Sequence, residues 1–206
     1  MEHKDYFKNY IIEMKQVCDR LDIEEIGRFV DILFTTWKNG KKVITVGNGG
    51  SAGTASHFAG DLIKTVVNDS SQKEVRTVRS FKALCLTDNV SALTAWVNDS
   101  GWDNCYTGLL NSLLEEGDTL LLLSVHGGSG WSGNLVRAME FAKERGANVI
   151  GFAGFDGGKM KEMCNSCVVV PVESTPIVEG LHCDLQHMVI FRLKHLIEEY
   201  QAEINH

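Results

Sequence analysis

The sequence predicts an α/β protein in which helices cover both faces of a five-stranded parallel sheet, giving a three-layer α-β-α sandwich. Short apolar runs of strand length alternate with segments of helical periodicity along most of the chain. Glycine- and serine-rich stretches follow the first and third of these runs, at the positions where parallel sheets hold ligands. We therefore expect one domain over residues 1–206, with a pair of helices preceding the sheet.

The first 40 residues are predicted to form the two preceding helices. Apolar positions recur at helical spacing over residues 6–18 and 23–37. Asp22 and Glu25 resemble a capping box at the start of the second helix, and Asn39-Gly40 is a typical stop signal. The remaining residues, 41–206, are expected to form the α/β core and a long closing helix.

The core elements are predicted to alternate. Strands are expected at residues 42–46, 81–86, 119–124, 147–153 and 166–170. Helices are expected at residues 51–64, 89–98, 104–115, 132–145 and 178–203, with a short turn near Lys159. The segment 65–80 is polar and weakly periodic, which indicates a surface loop or a short mobile element.

Composition narrows the function classes. A formal net charge of -7 argues against a general nucleic-acid partner or an anionic membrane surface. No apolar run approaches the length of a membrane span, and the N-terminal residues lack the apolar core of a signal peptide. The six cysteines are scattered through a chain with enough apolar residues for a full core, which is typical of reduced thiols. We expect a cytoplasmic protein.

The loop after the first predicted strand has the residues of an anion site. Gly47, Gly49 and Gly50 allow a sharp turn and a close backbone approach to a ligand. Ser51 is expected at the N-cap of the following helix, whose free amides and dipole favour an anion. The spacing matches neither the dinucleotide fingerprint nor the P-loop. A glycine-rich turn without a ligand remains the alternative.

A second loop with similar residues follows the third strand. Ser124, Ser129 and Ser132 offer hydroxyl donors, and two glycines, Gly127 and Gly128, permit close approach. In a flavodoxin-like sheet of order 2-1-3-4-5, strands one and three are neighbours at the switch point where ligands bind. The two loops are therefore expected to converge on one phosphate group.

Ionisable side chains follow at helical spacing. His57 and Asp61 are four residues apart on the helix after the first loop, roughly 9 and 15 Å along its axis from Ser51. They can serve the reactive end of a phosphosugar or form a surface pair. Glu179, His182, Asp184 and His187 in the last helix can contribute to a site or form a solvated polar stripe.

Other cysteine and tryptophan positions favour structural roles. The lone C-x-x-C formed by Cys164 and Cys167 has no second pair nearby, so buried thiols are favoured over a metal or redox site. Trp96, Trp102 and Trp131 can line a pocket, but packing in the core or between subunits is the simpler interpretation.

Taken together, the motifs resemble those of the phosphoheptose isomerases, members of the SIS (sugar isomerase) superfamily. G-N-G-G-S followed by H-F-A-G-D-L is similar to the family's G-N-G-G-S and H-F-A-E-E-L. N-D in T-A-W-V-N-D-S-G-W, the stretch S-V-H-G-G-S, and the turn G-F-D-G-G-K-M also have counterparts. The closing E-G-L-H-C-D-L-Q-H resembles Q-E-x-H-x-x-x-x-H. The resemblance covers nearly the whole chain.

The resemblance implies residue roles. Asp61 and His187 take the catalytic positions, and one zinc ion per subunit is implied at His57, Asp61, Glu179 and His187. The positions implied to bind the substrate and its phosphate are Asn48, Gly49, Gly50, Ser51, Asp99, Ser124, His126, Ser129 and Glu179. The family also implies a homotetramer with active sites between subunits.

The implied activity is the metal-assisted isomerisation of sedoheptulose 7-phosphate to D-glycero-D-manno-heptose 7-phosphate through an enediol. Five departures from the family pattern bear on the exact sugar. Asp61 replaces a glutamate of the family, Glu179 replaces a glutamine, and His126 replaces a hydroxyl residue. Pro176 stands where an aspartate often precedes that glutamine. About three extra residues separate Ser129 from the following helix. The alternative is a non-catalytic SIS protein that binds phosphosugars as a regulator or adaptor.

Overall fold

The computed structural model describes residues 2–68 and 78–204. It contains the helices α1 (His3–Cys18), α2 (Ile23–Lys38), α3 (Gly50–Ile63), α4 (Val90–Ser100), α5 (Cys105–Leu113), α6 (Gly133–Glu144), α7 (Gly158–Met163) and α8 (Thr175–Ile204). Its strands are β1 (Lys42–Gly47), β2 (Lys82–Cys85), β3 (Thr119–Ser124), β4 (Asn148–Gly154) and β5 (Ser166–Val170). Most of the predicted 65–80 loop lies outside the described residues.

The five strands form one parallel sheet of order β2-β1-β3-β4-β5. This confirms the predicted order and places β1 beside β3 at the centre. In the register of that pair Gly47 lies opposite Leu123, so the two glycine- and serine-rich loops leave the sheet side by side. β3 is buried along its whole length, as expected of a strand covered on both faces.

Helices cover the sheet on both faces, which confirms the three-layer sandwich. One apolar cluster joins α2, α3 and α8 to one face and includes Phe29, Phe58 and Phe152. The second cluster joins α5, α6 and α7 to the other face, with Tyr106 and Met139 among its buried side chains. α3 and α8 therefore lie on the same side of the sheet, and α3 begins directly at the first loop.

The second N-terminal helix begins as predicted and is also tied to the sheet. Asp22 Oδ1 accepts a hydrogen bond from the backbone N–H of Glu25 at 3.0 Å, which caps α2. The Glu25 side chain does not complete a capping box. Its Oε1 instead accepts from Ser166 Oγ at 2.6 Å and from the Cys167 backbone N–H at 2.8 Å, on strand β5.

The first helix leaves most of its apolar surface uncovered. Val17 is the buried residue of α1. Four large side chains on the same helix are 43% to 60% exposed: Tyr6, Phe7, Ile11 and Ile12. Among the described residues, no helix combines the length and hydropathy needed to cross a membrane.

Candidate active site

The first loop holds its shape through glycines. Gly49 has φ of +55°, a conformation that favours glycine, and it is the N-cap of α3. The prediction that Ser51 is the N-cap is therefore wrong, since the helix begins at Gly50 and Ser51 lies within its first turn, 5% exposed. A Cβ atom on Gly47 would lie 2.6 Å from the Ser51 backbone, so the strand and helix meet in close backbone contact.

Side-chain hydrogen bonds link the first loop to the start of α6. Asn48 Nδ2 donates to Asn134 Oδ1 at 3.0 Å and to Ser132 Oγ at 3.2 Å. Asn48 Oδ1 accepts from Asn134 Nδ2 at 3.0 Å and from the Tyr106 hydroxyl at 2.9 Å. These contacts engage the Asn48 amide in holding the two loops together, and substrate binding by Asn48 stays a prediction.

The second loop packs against the turn after β4. A Cβ atom on Gly127, where φ is +57°, would lie 2.0 Å from the carbonyl oxygen of Gly157. The Gly127 carbonyl accepts from Met160 N–H at 2.9 Å, which fixes the loop to α7. Ser124 is 6% exposed at the end of β3, whereas Ser129 is exposed. Ser124 and Ser129, two of the three serines predicted to bind phosphate, thus lie at the start and within a loop that is fixed to α7.

The predicted His126 position lies on the outer part of this loop. Its imidazole packs on the Phe155 ring, with the ring centroids 4.5 Å apart, and is stacked with Trp131 at 6.3 Å. Trp131 is 81% exposed, so it does not pack in the core, and the alternative of packing between subunits stays a prediction.

Three of the predicted catalytic and metal-binding residues come together between α3 and α8. Asp61 Oδ2 lies 3.3 Å from His57 Nε2 and 3.9 Å from His187 Nε2. The two imidazole rings face each other edge to face, with centroids 5.1 Å apart. The His57 and His187 side chains are 47% and 44% exposed, so the cluster opens to solvent.

Two residues that the sequence analysis did not identify hold the Asp61 carboxylate. Thr65 Oγ1 donates to Asp61 Oδ1 at 2.7 Å, and Gln186 Nε2 donates to Asp61 Oδ2 at 3.0 Å. Gln186 is completely buried, and its Oε1 has no hydrogen-bond partner among the described residues. The spacing of Thr65, four residues after Asp61, was the signal available in the sequence.

Cys183 was also missed, although it precedes His187 by one helical turn. Within the described part of the chain, the ligand atoms of His57, Cys183 and His187 lie within 4.8 Å of one another and form a group that could hold a metal ion. Burial raises the pKa of the Cys183 thiol, and the negative charges of Asp184 and Asp61 raise it further.

Glu179 lies outside that group of three side chains. A Cβ atom built on Gly50 would lie 2.6 Å from Glu179 Oε1, so the carboxylate sits against the first loop rather than among the imidazoles. The resemblance placed Glu179 both with the substrate and with the metal. Both roles of Glu179 stay predictions.

The two other polar candidates of α8, His182 and Asp184, lie on different sides of the helix. His182 is buried to 1% exposure beside Phe152, and this burial lowers the pKa of its imidazole to about 4. It is therefore neutral at physiological pH. Asp184 is exposed on the opposite side of the helix. Neither residue joins the group of three potential metal ligands.

The predicted sugar-binding Asp99 lies near the end of α4 and is exposed. Its Oδ1 accepts a hydrogen bond from Asn98 at 2.7 Å, and it lines a shallow cavity of about 330 Å³ with Ala92, Ala95 and Trp96. Trp96 is 39% exposed there. A role for Asp99 in sugar binding stays a prediction.

This fold and this pair of loops define a SIS domain. A profile of the SIS domain family matches residues 5–154, well over half of the chain. The solved structure of phosphoheptose isomerase GmhA from Neisseria gonorrhoeae has a TM-score of 0.81 at 27% identity and covers 94% of this chain and 100% of that one.

The similarity extends to curated sequences. The phosphoheptose isomerase of Nitratiruptor sp. is 38% identical over 152 residues, covering 74% of this chain and 75% of that protein. The lincomycin biosynthesis protein LmbN of Streptomyces lincolnensis is 37% identical over 187 residues, which are 87% of this chain and 66% of that protein. The chain belongs to the phosphoheptose isomerase family.

Proposed function

We propose that this protein is a sugar-phosphate isomerase that interconverts sedoheptulose 7-phosphate and D-glycero-D-manno-heptose 7-phosphate. The observation that carries the proposal is the position of Asp61. Its carboxylate is held by two hydrogen bonds and lies beside two imidazoles, on a helix that starts at the glycine-rich loop. A substrate whose phosphate binds at the loop extends its other end along that helix.

The loops supply binding, and the helix supplies the chemistry. Amides at the start of α3 and the hydroxyls of Ser51, Ser124 and Ser129 are the proposed phosphate donors. Asp61 then transfers a proton between C1 and C2 of the sugar, and His187 exchanges the proton at the neighbouring oxygen. An aldose and a ketose interconvert in this way through an enediol.

The side chains present suit a divalent metal at the Asp61 end. Two imidazoles and a carboxylate lie close together, and nitrogen and carboxylate donors are those that zinc accepts. We propose His57, Asp61 and His187 as residues beside a zinc ion; the resemblance implied these three together with Glu179. When bound, zinc supplies positive charge that polarises the sugar carbonyl and stabilises an enediolate.

We also propose that the protein is a homotetramer with its active sites at subunit interfaces. The exposed apolar side chains of α1 support this assembly, as do Met188 and Phe191, which are 52% and 45% exposed next to His187. Sedimentation velocity at micromolar concentration should show a tetramer. A monomer under these conditions would contradict both the assembly and the shared site.

Substitutions at the two ends of the site test the isomerase proposal. Ser51→Ala should mainly raise KM, because the phosphate contact is made in ground and transition states alike. Asp61→Asn should lower kcat by roughly two to four decades with a smaller effect on KM. Kinetics with sedoheptulose 7-phosphate and the folded state of each variant, followed by circular dichroism, separate the two effects.

Isotope exchange decides between catalysis and regulation. The wild-type protein in D₂O should incorporate deuterium at C1 or C2 of the sugar phosphate, because the proton passes through a side chain. Tight binding of phosphosugars without any exchange would reject the isomerase and favour a regulatory SIS protein.

A further inference from the structure

The side chains around the proposed metal differ from those that the resemblance implies. His57 on α3 and His187 on α8 are present as implied, and Cys183, which the resemblance does not name, has its sulfur within 4.8 Å of a nitrogen of each imidazole. Cys183 and His187 are four residues apart in α8, so they project from the same face of that helix towards α3. A metal held by both therefore joins two helices.

The implied fourth ligand lies elsewhere. The Glu179 carboxylate is in contact distance of Gly50 at the phosphate loop. Asp61 lies beside the imidazoles, but Thr65 and Gln186 already donate to its two oxygens. In the family pattern H-x-x-x-x-H, Cys183 occupies an unspecified position directly after the first histidine.

We infer that Cys183 is a thiolate ligand of the divalent metal at the proposed site, with His57 and His187 as its imidazole ligands. The inference rests on the proposed function for the presence of a metal. On binding, the Cys183 thiol releases its proton to solvent and its sulfur bonds to the metal. Two nitrogens and one sulfur form a catalytic type of zinc site, which leaves a fourth position open.

The geometry requires only a small adjustment. Ligand atoms of a tetrahedral site with nitrogen and sulfur donors are about 3.3–3.6 Å apart, given zinc bonds of about 2.0–2.3 Å. The present separations are within 4.8 Å. Side-chain rotations that move each ligand atom by about 1 Å are enough to bring the three atoms to these distances. A sulfur donor also selects zinc or cobalt over magnesium and manganese.

The division of roles has a chemical consequence for Asp61. A carboxylate bound directly to a divalent metal loses most of its basicity, whereas neutral hydrogen-bond donors lower it less. Ligation through Cys183 supplies the third protein ligand without Asp61. The carboxylate then remains available for the proton transfer that we propose.

Cobalt substitution and X-ray absorption test the ligand directly, without an activity assay. The full-length protein is loaded with Co²⁺ and its near-ultraviolet spectrum is recorded, since a cysteine thiolate gives an intense sulfur-to-cobalt charge-transfer band. Zinc-loaded protein should show one sulfur at about 2.3 Å together with nitrogens at about 2.0–2.1 Å. Cys183→Ser should abolish the band and the sulfur shell and weaken cobalt binding at least tenfold.

Matched variants keep the outcome decisive. Glu179→Gln and Asp61→Asn should retain the band, and Cys164→Ser should retain it as a control for the other thiols. The inference is overturned if the wild-type protein binds no cobalt, if its spectrum shows only nitrogen and oxygen ligands, or if the band survives in Cys183→Ser. A metal with only nitrogen and oxygen ligands in an active isomerase would reject this inference and leave the proposed function standing.

Discussion

Replacing Gln186 by leucine should reduce catalysis while leaving the fold almost as stable as before. In the folded protein the Gln186 amide donates to Asp61 Oδ2 at 3.0 Å, and its own Oε1 is buried with no partner in the described part of the chain. A hydrogen bond to a charged group contributes about 1.5–3 kcal/mol, and an unpaired buried acceptor costs about 1–3 kcal/mol. Leucine removes both, so we expect the free energy of unfolding to change by about 1 kcal/mol or less.

The effect of Gln186→Leu on catalysis is not offset by a second contribution, as its effect on stability is. Without Gln186, Asp61 keeps Thr65 on Oδ1 but loses the buried donor on Oδ2, and its carboxylate can rotate about χ2. If the whole energy of the lost hydrogen bond, about 1.5–3 kcal/mol, serves to orient the Asp61 carboxylate in the transition state, kcat falls by about ten- to a hundredfold. KM should change little, because Gln186 is completely buried and cannot touch a substrate.

Urea unfolding and steady-state kinetics with sedoheptulose 7-phosphate measure the two quantities. Leu185→Met is a matched control, because Leu185 is also buried in α8 and the change conserves volume without altering a hydrogen bond. An unchanged kcat in Gln186→Leu would refute the role of the amide in orienting Asp61. A loss of stability above about 3 kcal/mol would refute the offset between the two buried contributions.

Two further substitutions test the framework of the site. Glu25→Ala removes the acceptor of Ser166 Oγ and Cys167 N–H and should lower the free energy of unfolding by about 2–4 kcal/mol. Glu24→Ala at an exposed neighbouring position is the control and should lower it by about 0.5 kcal/mol or less. Urea denaturation measures both changes. Gly127→Ala should raise KM at least several-fold and lower the melting temperature, because its Cβ would meet the Gly157 carbonyl at 2.0 Å. Gly53→Ala, whose Cβ would meet no atom of the described residues within 4 Å, should leave KM unchanged; equal KM values for these two glycine variants would contradict the proposed loop packing.

The sheet could be predicted because its order follows from local signals. Alternating strands and helices imply parallel pairing with crossovers of one hand, and glycine-rich loops after β1 and β3 indicate where the order reverses. The start of α3 was predicted one residue too late. Serine is the commoner N-cap, but Gly49 reaches φ of +55° at low cost and begins the helix earlier.

The supporting residues of the site could not be predicted in the same way. Helical periodicity shows that Cys183 and Gln186 lie on particular faces of α8, but it does not show which helix they face. Their partners on α3 are more than 120 residues away in the chain, and only the packing of both helices on one face of the sheet brings them together. His57, Asp61 and His187 were identified from their places in the predicted helices and given roles by the family resemblance, and neither source specifies these neighbours.

The contact between Glu25 and strand β5 also affects how this sheet meets other molecules. β5 is an outer strand of the sheet, and its free backbone groups could pair with a strand from another chain. The Glu25 carboxylate occupies one such group, the Cys167 N–H, and brings a charge to the strand with α2 packed behind it. α2 thus covers part of this edge and disfavours pairing of β5 with a strand of another chain.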